Sequence, residues 1–305
     1  MNKINESVLI CGVVKNCGNK INFNVNLAIK TGEIFEDYKI VIYENNSTDH
    51  TKQELNKFIL NPNIVIKSEN INVEEKSDFK LWAYTEITGS SHPCRIEMIA
   101  NARNKILDEI NKDEYNKFTY VIWIDMDSNG WDLNGIVNSF YKKEVWDVVY
   151  ANNPKHYYDM YAFRGGKFLL GPEIIGEFFW KNLSFIQLDK SENLIPIYSA
   201  FGGLGIYKKE IFRKHKFDFM VNEYVKKIYL FLLENNTWDE NILNVIQNED
   251  GKFPGGIKEK ESGIFWKANS GYNGPVVCEH VTLNFELISN GYKIFINPNM
   301  LYFNS

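Results

Sequence analysis

Cysteine is scarce in this sequence, and the cysteines that occur are far apart. The four positions in the 305 residues are Cys11, Cys17, Cys94 and Cys278. They are too few for a disulfide framework, and they lack the close paired spacing of a structural zinc site. The pattern favours reduced thiols, which are typical of a cytoplasmic protein.

Long apolar segments are also absent. No run of about 18 uncharged apolar residues occurs, and the N-terminal residues show neither an apolar core nor a cleavage-site pattern. We therefore expect no integral membrane segment, no classical export signal and a cytoplasmic location.

The sequence has no excess of positive charge. Lys and Arg total 34 against 39 Asp and Glu, which gives a formal net charge of -5 at pH 7. This balance argues against a partner bound mainly through a basic surface, such as a nucleic acid. Gly-x-Ser-x-Gly and His-Glu-x-x-His are missing too, which removes the usual hydrolase signatures. With 44% hydrophobic and 24% charged residues, the composition is that of a globular protein.

The first half of the chain alternates strand patterns with helical ones. The run at 8–14 is continuously apolar, as in a strand covered on both faces. Strands separated by helices predict an α/β fold with a mostly parallel central sheet flanked by helices. The further predicted strands are 38–43, 63–66, 119–124 and 146–150. The predicted helices lie around 21–29, from Thr51 through Ile59, and at 96–110. Thr51 and Glu54 are predicted to form a capping box at the start of the second helix.

The second half is less regular and rich in aromatic residues. We predict a strand interrupted by glycines at 199–207, a mobile loop at 251–275, a helix at 280–289 and a late strand at 292–296. No linker separates the halves, so we expect a single domain over 1–305, composed of the halves 1–150 and 151–305.

Asp125-Met126-Asp127 follows the apolar strand 119–124. Residues two apart on an extended backbone point to the same side, so both carboxylates would face one way and Met126 the other. Open α/β sheets bind ligands at the carboxyl ends of their strands. Two hard oxygen ligands suit Mg²⁺ or Mn²⁺, with water and substrate phosphates completing the shell. The structural alternative is a chain that simply turns polar as it leaves the sheet.

Two other groups are candidates for the same crevice. The loop from Glu44 to Asp49 follows a second strand, and its carboxylates could bind a ribose or a base, or cap the next helix. Arg103, one of four arginines, falls on or beside an apolar helical stripe. It could form an ion pair with Asp49 or Asp125, or contact a phosphate.

Two further motifs have both a functional and a structural interpretation. Gly202-Gly203-Leu204-Gly205 could let the backbone approach a ligand closely, although it lacks the spacing of a dinucleotide or phosphate-binding fingerprint. Glu279-His280, at the start of a helix, offers a general base or a metal ligand, or simply a first-turn acid favoured by the helix dipole.

The order of these motifs resembles that of GT-A glycosyltransferases. The matching elements are Val-Val-Lys-Asn at 13–16, Glu-Asn-Asn-Ser-Thr-Asp-His-Thr at 44–51, Ala-Arg-Asn at 102–104, Asp-Met-Asp at 125–127, Phe-Gly-Gly-Leu-Gly-Ile-Tyr at 201–207 and Cys-Glu-His at 278–280. Within that superfamily the sequence is similar to capsule-type mannosyltransferases, those related to fungal capsule-associated proteins. The resemblance covers nearly the whole chain.

The resemblance implies a metal-dependent transfer of a sugar from a nucleotide-sugar donor, UDP- or GDP-linked, to a glycan or other hydroxyl acceptor. Residues 1–150 would hold the donor and 151–305 the acceptor. The donor-binding residues implied are Val14, Asn16, Glu44, Asn46, Asp49, Arg103, Asp125 and Gly203. The implied ligands of Mn²⁺ or Mg²⁺ are Asp125, Asp127 and His280.

One position departs from the family pattern. Many inverting members carry an Asp as the catalytic base where this sequence has His280. Either Glu279 is the base, or His280 binds the metal and the mechanism differs; Asp239-Glu240 is a second candidate pair. The alternatives are a catalytically inactive glycan- or nucleotide-binding relative, and a phosphatase of the haloacid dehalogenase type. The late position of the DxD motif counts against the phosphatase.

Overall fold

The computed structural model describes residues 3–73, 78–85, 90–182, 185–248, 255–268 and 271–304. The strands are β1 (Ile4–Val14), β2 (Phe35–Asn45), β3 (Ile64–Glu69), β4 (Trp82–Thr85), β5 (Ser90–Pro93), β6 (Tyr120–Ile124), β7 (Val148–Asn152), β8 (Ile195–Pro196), β9 (Leu204–Lys208), β10 (Ile257–Lys258), β11 (Phe265–Trp266) and β12 (Ile294–Leu301). The α-helices are α1 (Gly18–Glu33), α2 (Thr51–Asn56), α3 (Arg95–Ile110), α4 (Leu133–Phe140), α5 (Pro172–Ile175), α6 (Glu177–Lys181), α7 (Glu223–Glu234), α8 (Glu240–Gln247) and α9 (Glu279–Ser289).

Eight of these strands form the central sheet, in the order β3-β2-β1-β6-β9-β7-β12-β8. The pairs β3–β2, β2–β1, β1–β6 and β7–β12 are parallel, which confirms the mostly parallel sheet. Strand β9 runs antiparallel to both of its neighbours, β6 and β7. Because Leu204 pairs with Ile124, the start of β9 lies beside the carboxyl end of β6. The glycines before β9 therefore reach the edge where a ligand crevice is expected.

Apolar side chains cover both faces of the sheet. Along β1, Leu9 and Cys11 point into one core, whereas Val8 and Ile10 point into the other, as alternation along a strand requires. Helices α3, α7 and α9 close the first core, and α1 and α4 close the second. The result is one domain with helices on both faces of the sheet, as predicted. None of the helices in the described ranges is long and apolar enough to cross a membrane.

The predicted capping box at the start of α2 is wrong. His50 occupies the N-cap position, and its side chain makes no capping hydrogen bond. The Thr51 hydroxyl instead donates to Asp49 at 2.6 Å, so it belongs to the preceding turn. Helix α2 ends at Asn56, and Phe58 and Ile59 lie beyond it.

The segment 251–275 contains regular structure where we predicted only a loop. Strands β10 and β11 pair antiparallel within it, with Ile257 opposite Trp266. The buried ammonium of Lys267 donates to three carbonyl oxygens, each at 2.8 Å, and so ties this hairpin to the chain around α8. Residues 251–254 and 269–270 of the predicted loop lie outside the described residues. The strand predicted at 199–207 begins only at Leu204, since Gly202 and Gly203 have positive φ values that end an extended run.

Candidate functional site

The Asp125-Met126-Asp127 segment follows β6 directly. The chain does not stay extended here, because Met126 and Asp127 lie in a turn. Met126 is nonetheless buried in the core, Asp125 is partly exposed and Asp127 is exposed. The two carboxylates therefore lie apart from the Met126 side chain, as predicted, but a turn and not an extended strand separates them.

Asn24 of α1 holds this turn, and the sequence analysis missed it. Its amide donates to the carbonyl oxygens of Met126 and Ser128 at 2.9 and 3.0 Å, and the Ser128 hydroxyl donates back to the Asn24 side chain. Asn24 is fully buried, on the same face of α1 as Ile21 and Val25. A polar residue on that apolar face was the signal that could have identified it, since buried amides need partners.

Arg103 projects from α3 to the centre of the site and is almost completely buried. Its Nη2 lies 3.4 Å from Asp125 Oδ1, and its Nε lies 3.3 Å from Glu279 Oε1. Burial alone would lower the pKa of Arg103, but these two carboxylates outweigh it and raise the pKa. Of the two predicted ion-pair partners, Asp49 and Asp125, the structure selects Asp125.

The remaining nitrogen of Arg103 is not satisfied. Nη1 is buried and has no hydrogen-bond partner among the described residues. The guanidinium carbon lies 4.9 to 5.5 Å from the ring centroids of Trp123, Phe201 and Phe217. Aromatic rings hold the guanidinium without using its donors, so the N–H groups of Nη1 stay unpaired.

Negative charge is concentrated around Asp125, whose side chain is 27% exposed. Its pKa is raised to about 7, chiefly by burial. Arg103 opposes this shift, and three neighbouring carboxylates add to it, those of Asp127, Asp159 and Glu279. Four carboxylates thus share one guanidinium, which leaves the site short of positive charge.

Asp159 was not predicted. The pKa of its carboxyl is raised to about 6, by burial first and by Glu279 second. The backbone N–H of Ala162 donates to Asp159 Oδ1 at 3.2 Å and fixes the carboxylate. Asp159 lies in an irregular segment that is rich in aromatic residues. An isolated acidic residue in such a segment could have been chosen from the sequence as a candidate site residue.

Gly203 and Tyr302 hold the backbone of Asp125. The Asp125 N–H donates to the Gly203 carbonyl at 2.9 Å, and the Tyr302 hydroxyl donates to the Asp125 carbonyl at 3.0 Å. Gly203 has φ +87°, and a Cβ there would lie 2.2 Å from the Tyr302 ring. A glycine is needed at this position for its conformation and for the close approach of the ring. Tyr302, just after β12, had no sequence signal beyond being aromatic.

The loop after β2 is held together by its own acidic residues. Glu44 is fully buried; it accepts a hydrogen bond from the Ser47 N–H at 2.8 Å and another from the Ser68 hydroxyl. Asp49 is exposed and accepts from the N–H groups of Gly18 and Thr51. Together with the Thr51 hydroxyl, these donors lower the pKa of Asp49 to about 2. Both acids therefore have structural partners, as the turn interpretation required.

The other residues predicted to bind the donor border the same loop. Asn16 has φ +53° and accepts from the Thr48 N–H at 2.8 Å, which joins the end of β1 to this loop. Val14 pairs with Glu44 across β1 and β2. Asn46, with φ +54°, exchanges two hydrogen bonds with the backbone of Ile71.

The three candidate catalytic or metal residues of the second half lie in different settings. Glu279 is buried beside Arg103. His280 is buried and stacked on Phe201 at 3.9 Å, and burial lowers its pKa well below the usual range, so the ring is neutral. Its Nε2 is 3.5 Å from Glu279 Oε1 without hydrogen-bond geometry. Asp239 is exposed and caps α8 by accepting from the Ile242 N–H at 2.9 Å.

The donor set limits how a metal ion could be held. Within the described ranges, no group of three His, Cys, Asp or Glu side chains is arranged to hold a metal ion. Asp125 and Asp127 remain as two carboxylates near one another in a field of negative charge. Two carboxylates, with water and substrate oxygens as further ligands, suit Mg²⁺ or a similar hard cation. The residues present therefore fit a cation shared with a phosphate-bearing substrate.

The sheet, with the reversed strand β9 between β6 and β7 and an acidic cluster at the carboxyl end of β6, has the architecture expected of a GT-A glycosyltransferase fold. The family described as Cryptococcal mannosyltransferase 1 matches residues 35–230, and the chain belongs to that family. This confirms the resemblance to capsule-type mannosyltransferases.

Solved structures with a similar fold are distant in sequence. S. aureus TarS residues 1–349 share 13% identity, with a TM-score of 0.40 over 70% of this chain and 50% of that chain. The mannosyltransferase PcManGT from Pyrobaculum calidifontis, solved with GDP-Man and Mn²⁺, shares 14% identity, with a TM-score of 0.38 over 70% of this chain and 48% of that chain. The chain thus spans about half the length of these proteins. No curated protein matches the sequence.

Proposed function

We propose that the protein is a glycosyltransferase that moves a sugar from a UDP- or GDP-linked donor to a hydroxyl group of a glycan, with Mn²⁺ or Mg²⁺ held by Asp125 and Asp127. The observation that carries the proposal is the unbalanced charge of the site. The buried guanidinium of Arg103 has a nitrogen without a hydrogen-bond partner among the described residues, and four carboxylates surround this single cation. A divalent ion would neutralise the carboxylates, and a diphosphate would accept hydrogen bonds from the guanidinium.

The donor would lie across the carboxyl ends of β1, β2 and β6. The loop after β2, joined to Asn16, provides a polar wall for the nucleoside, with Glu44 and Asp49 fixing its shape. Arg103 lies farther along the sheet, next to Asp125, where the diphosphate would follow. This arrangement supports the assignment of residues 1–150 to the donor.

A glycosyltransferase has to stabilise its leaving group at this position. Breaking the bond between the sugar and the phosphate leaves a nucleoside diphosphate with added negative charge. A preorganised guanidinium aimed at that charge lowers the barrier, and Arg103 is preorganised by its two ion pairs and three aromatic contacts. A bound divalent ion supplies further stabilisation of the same charge.

We infer that Glu279 positions Arg103. A general base must reach the acceptor hydroxyl, directly or through one water. Glu279 is almost fully buried, and its Oε1 faces Arg103 Nε. Two carboxylates of this cluster belong to residues 151–305, and of these Asp159 is partly exposed whereas Glu279 is buried.

Release of nucleoside diphosphate from a panel of UDP-, GDP- and dTDP-sugars, with Mn²⁺ and with EDTA, tests the proposal. We expect metal-dependent release from one donor. Asp127→Ala should abolish release and leave the melting temperature unchanged, because the side chain is exposed. Asp113→Ala, an exposed acid in the short helix 113–115, is the matched control and should keep full activity. Undiminished turnover by the Asp127 variant would exclude the metal assignment.

A further inference from the structure

Three large aromatic side chains between residues 156 and 186 are exposed to solvent. Tyr158 is 44% exposed, Trp180 49% and Phe185 74%. Each lies beside a second ring: Tyr158 is 6.5 Å from Tyr302, and Trp180 is stacked on Tyr161 at 6.1 Å with 28° between the planes. Phe185 lies 4.5 Å from His156. We call Tyr158, Tyr161, Trp180 and Phe185 the aromatic strip.

The aromatic strip begins at the carboxylates of the proposed transfer site. Asp125 and Asp127 contribute, after burial, to raising the pKa of Tyr158 to about 12, so this ring lies near both. Tyr302, which contacts the Tyr158 ring, also donates its hydroxyl proton to the Asp125 carbonyl. Tyr158, one end of the aromatic strip, therefore lies at the proposed transfer site, and Tyr161 follows it by three residues and stacks on Trp180.

Buried hydrogen bonds hold the strip in place. Asn153 accepts from the Tyr158 N–H at 2.9 Å and donates to the Tyr302 carbonyl at 3.0 Å. The Tyr157 N–H donates to the Ile186 carbonyl at 2.6 Å, which joins the segment carrying Tyr158 to the segment carrying Phe185. Because these bonds hold the backbone at Tyr158 and next to Phe185, these segments lose little conformational entropy when a ligand covers them.

We propose that the aromatic strip is the acceptor subsite and binds a glycan chain of two or more sugars. A pyranose ring has an apolar C–H face that packs on an aromatic plane, while its hydroxyl edge stays in water. Three exposed rings, each with a second ring beside it, suit successive sugars of a chain better than a single monosaccharide. The inference rests on the proposed function for the chemistry at Asp125, but glycan binding itself does not require turnover.

A second copy of this chain is the competing occupant, because exposed rings also mark protein interfaces. Two features favour the glycan. Tyr158 contacts Tyr302 beside Asp125, at the proposed transfer site where an acceptor has to lie. Charged and polar side chains are interspersed with the rings, among them Asp159, Lys181 and Asn182, and hydroxyl groups of a sugar can bond to them.

Binding of the full chain to an array of immobilised mono- to hexasaccharides, mannose oligomers included, tests the proposal. We expect affinity to rise from one sugar to several, and we expect Trp180→Ala and Phe185→Ser each to lower it by about tenfold. Trp180→Phe should retain most of the affinity. Tyr141→Ala is the matched control, since Tyr141 is 82% exposed and contacts no other ring in the described part of the chain.

The experiment distinguishes failure of this inference from failure of the proposed function. Absence of glycan binding, or binding that ignores both ring substitutions, overturns the inference. A dimer that Trp180→Ala or Phe185→Ser dissociates, measured by light scattering, also overturns it and identifies the second copy as the occupant. Release of nucleoside diphosphate to water is recorded for every variant. Normal release without glycan binding leaves the proposed function standing, whereas glycan binding without release supports the subsite and counts against the transferase.

Discussion

Arg103 combines two demands on a single side chain. It neutralises Asp125 and the buried Glu279, and its buried Nη1 keeps donors that have no partner among the described residues. A lysine in its place could supply one compact charge, but not a planar group with several fixed donors. We therefore expect the site to depend on the geometry of the guanidinium as well as on its charge.

Arg103→Lys should therefore lower kcat for donor turnover by roughly 10²- to 10³-fold, as loss of a preorganised donor does. The fold should persist, because the charge is kept. Nucleoside diphosphate release and thermal melting measure the two effects. Arg213→Lys, at an exposed arginine bonded to Asn116, is the control and should change neither. Equal activity of the two variants would contradict the role of Arg103.

The raised pKa of Asp125 predicts a pH dependence of stability. Its folded-state pKa of about 7 lies above the unfolded value, so between about pH 4 and 7 the folded protein binds a proton that the unfolded chain does not. Stability therefore falls as pH rises through this window. In EDTA, Asp125→Asn should make this slope smaller without abolishing it, because the pKa of Asp159 is raised as well. The melting temperature of the variant should therefore rise relative to that of the wild type between pH 4 and 7.

Divalent metal gives the complementary test. Mn²⁺ at pH 8 should raise the melting temperature of the wild type and not that of Asp125→Asn, because ligand binding to the folded state stabilises it. Parallel pH profiles of the two proteins in EDTA would show that Asp125 does not titrate near pH 7.

At the level of elements, the reversed strand β9 has the largest consequence for the site. Its direction delivers Gly203 to the end of β6, where the Gly203 carbonyl accepts the Asp125 N–H. The helices and strands of the first half could be predicted, because each is long enough to show its own periodicity. The direction and neighbours of β9 depend on pairing between distant segments, which the local pattern does not encode.

Gly203→Ala should be more harmful than an alanine at another glycine of positive φ. Gly203 combines φ +87° with a Tyr302 ring 2.2 Å from the added Cβ, whereas Gly263 has φ +71° and nothing within 4 Å. We expect Gly263→Ala to cost about 1 kcal/mol of unfolding free energy from strain alone. Gly203→Ala should cost at least 1 to 3 kcal/mol more from overpacking and should reduce turnover. Urea unfolding measures the free energy of unfolding of both variants. Equal losses at Gly203 and Gly263 would show that the Tyr302 ring moves away freely.

At the scale of the whole molecule, a buried ion pair organises the second half. Arg164 and Glu173 both have fully buried side chains, with Nη2–Oε distances of 2.8 and 3.1 Å. The Tyr229 hydroxyl of α7 donates to Glu173, and Arg164 donates to the carbonyls of Tyr161 and Phe163. The pair thus fastens the chain next to the aromatic strip to the core.

Breaking this pair should be costly. Glu173→Gln leaves a buried guanidinium without its counter-charge, and we expect a loss of about 3–5 kcal/mol in unfolding free energy. The surface pair of Lys142 with Glu192, which lies 3.2 Å from it, is the control: Glu192→Gln should cost no more than about 1 kcal/mol. Denaturant unfolding measures the loss of unfolding free energy for both variants. A small loss for Glu173→Gln would mean that water reaches the pair.

Three features follow from local periodicity and short motifs in the amino-acid sequence: the α/β class, the sheet edge at which Asp125 lies, and the family resemblance. The folded structure was needed to show which partner Arg103 takes, that Asp159 and Tyr302 join the site, and that Asn24 holds its turn. It also shows that Glu44 and Asp49 accept hydrogen bonds from their own loop and from the segments beside it. These contacts join residues separated by up to 177 positions. Their formation depends on burial and on the competition between charges in one enclosed space, and neither is a property of a local stretch of sequence.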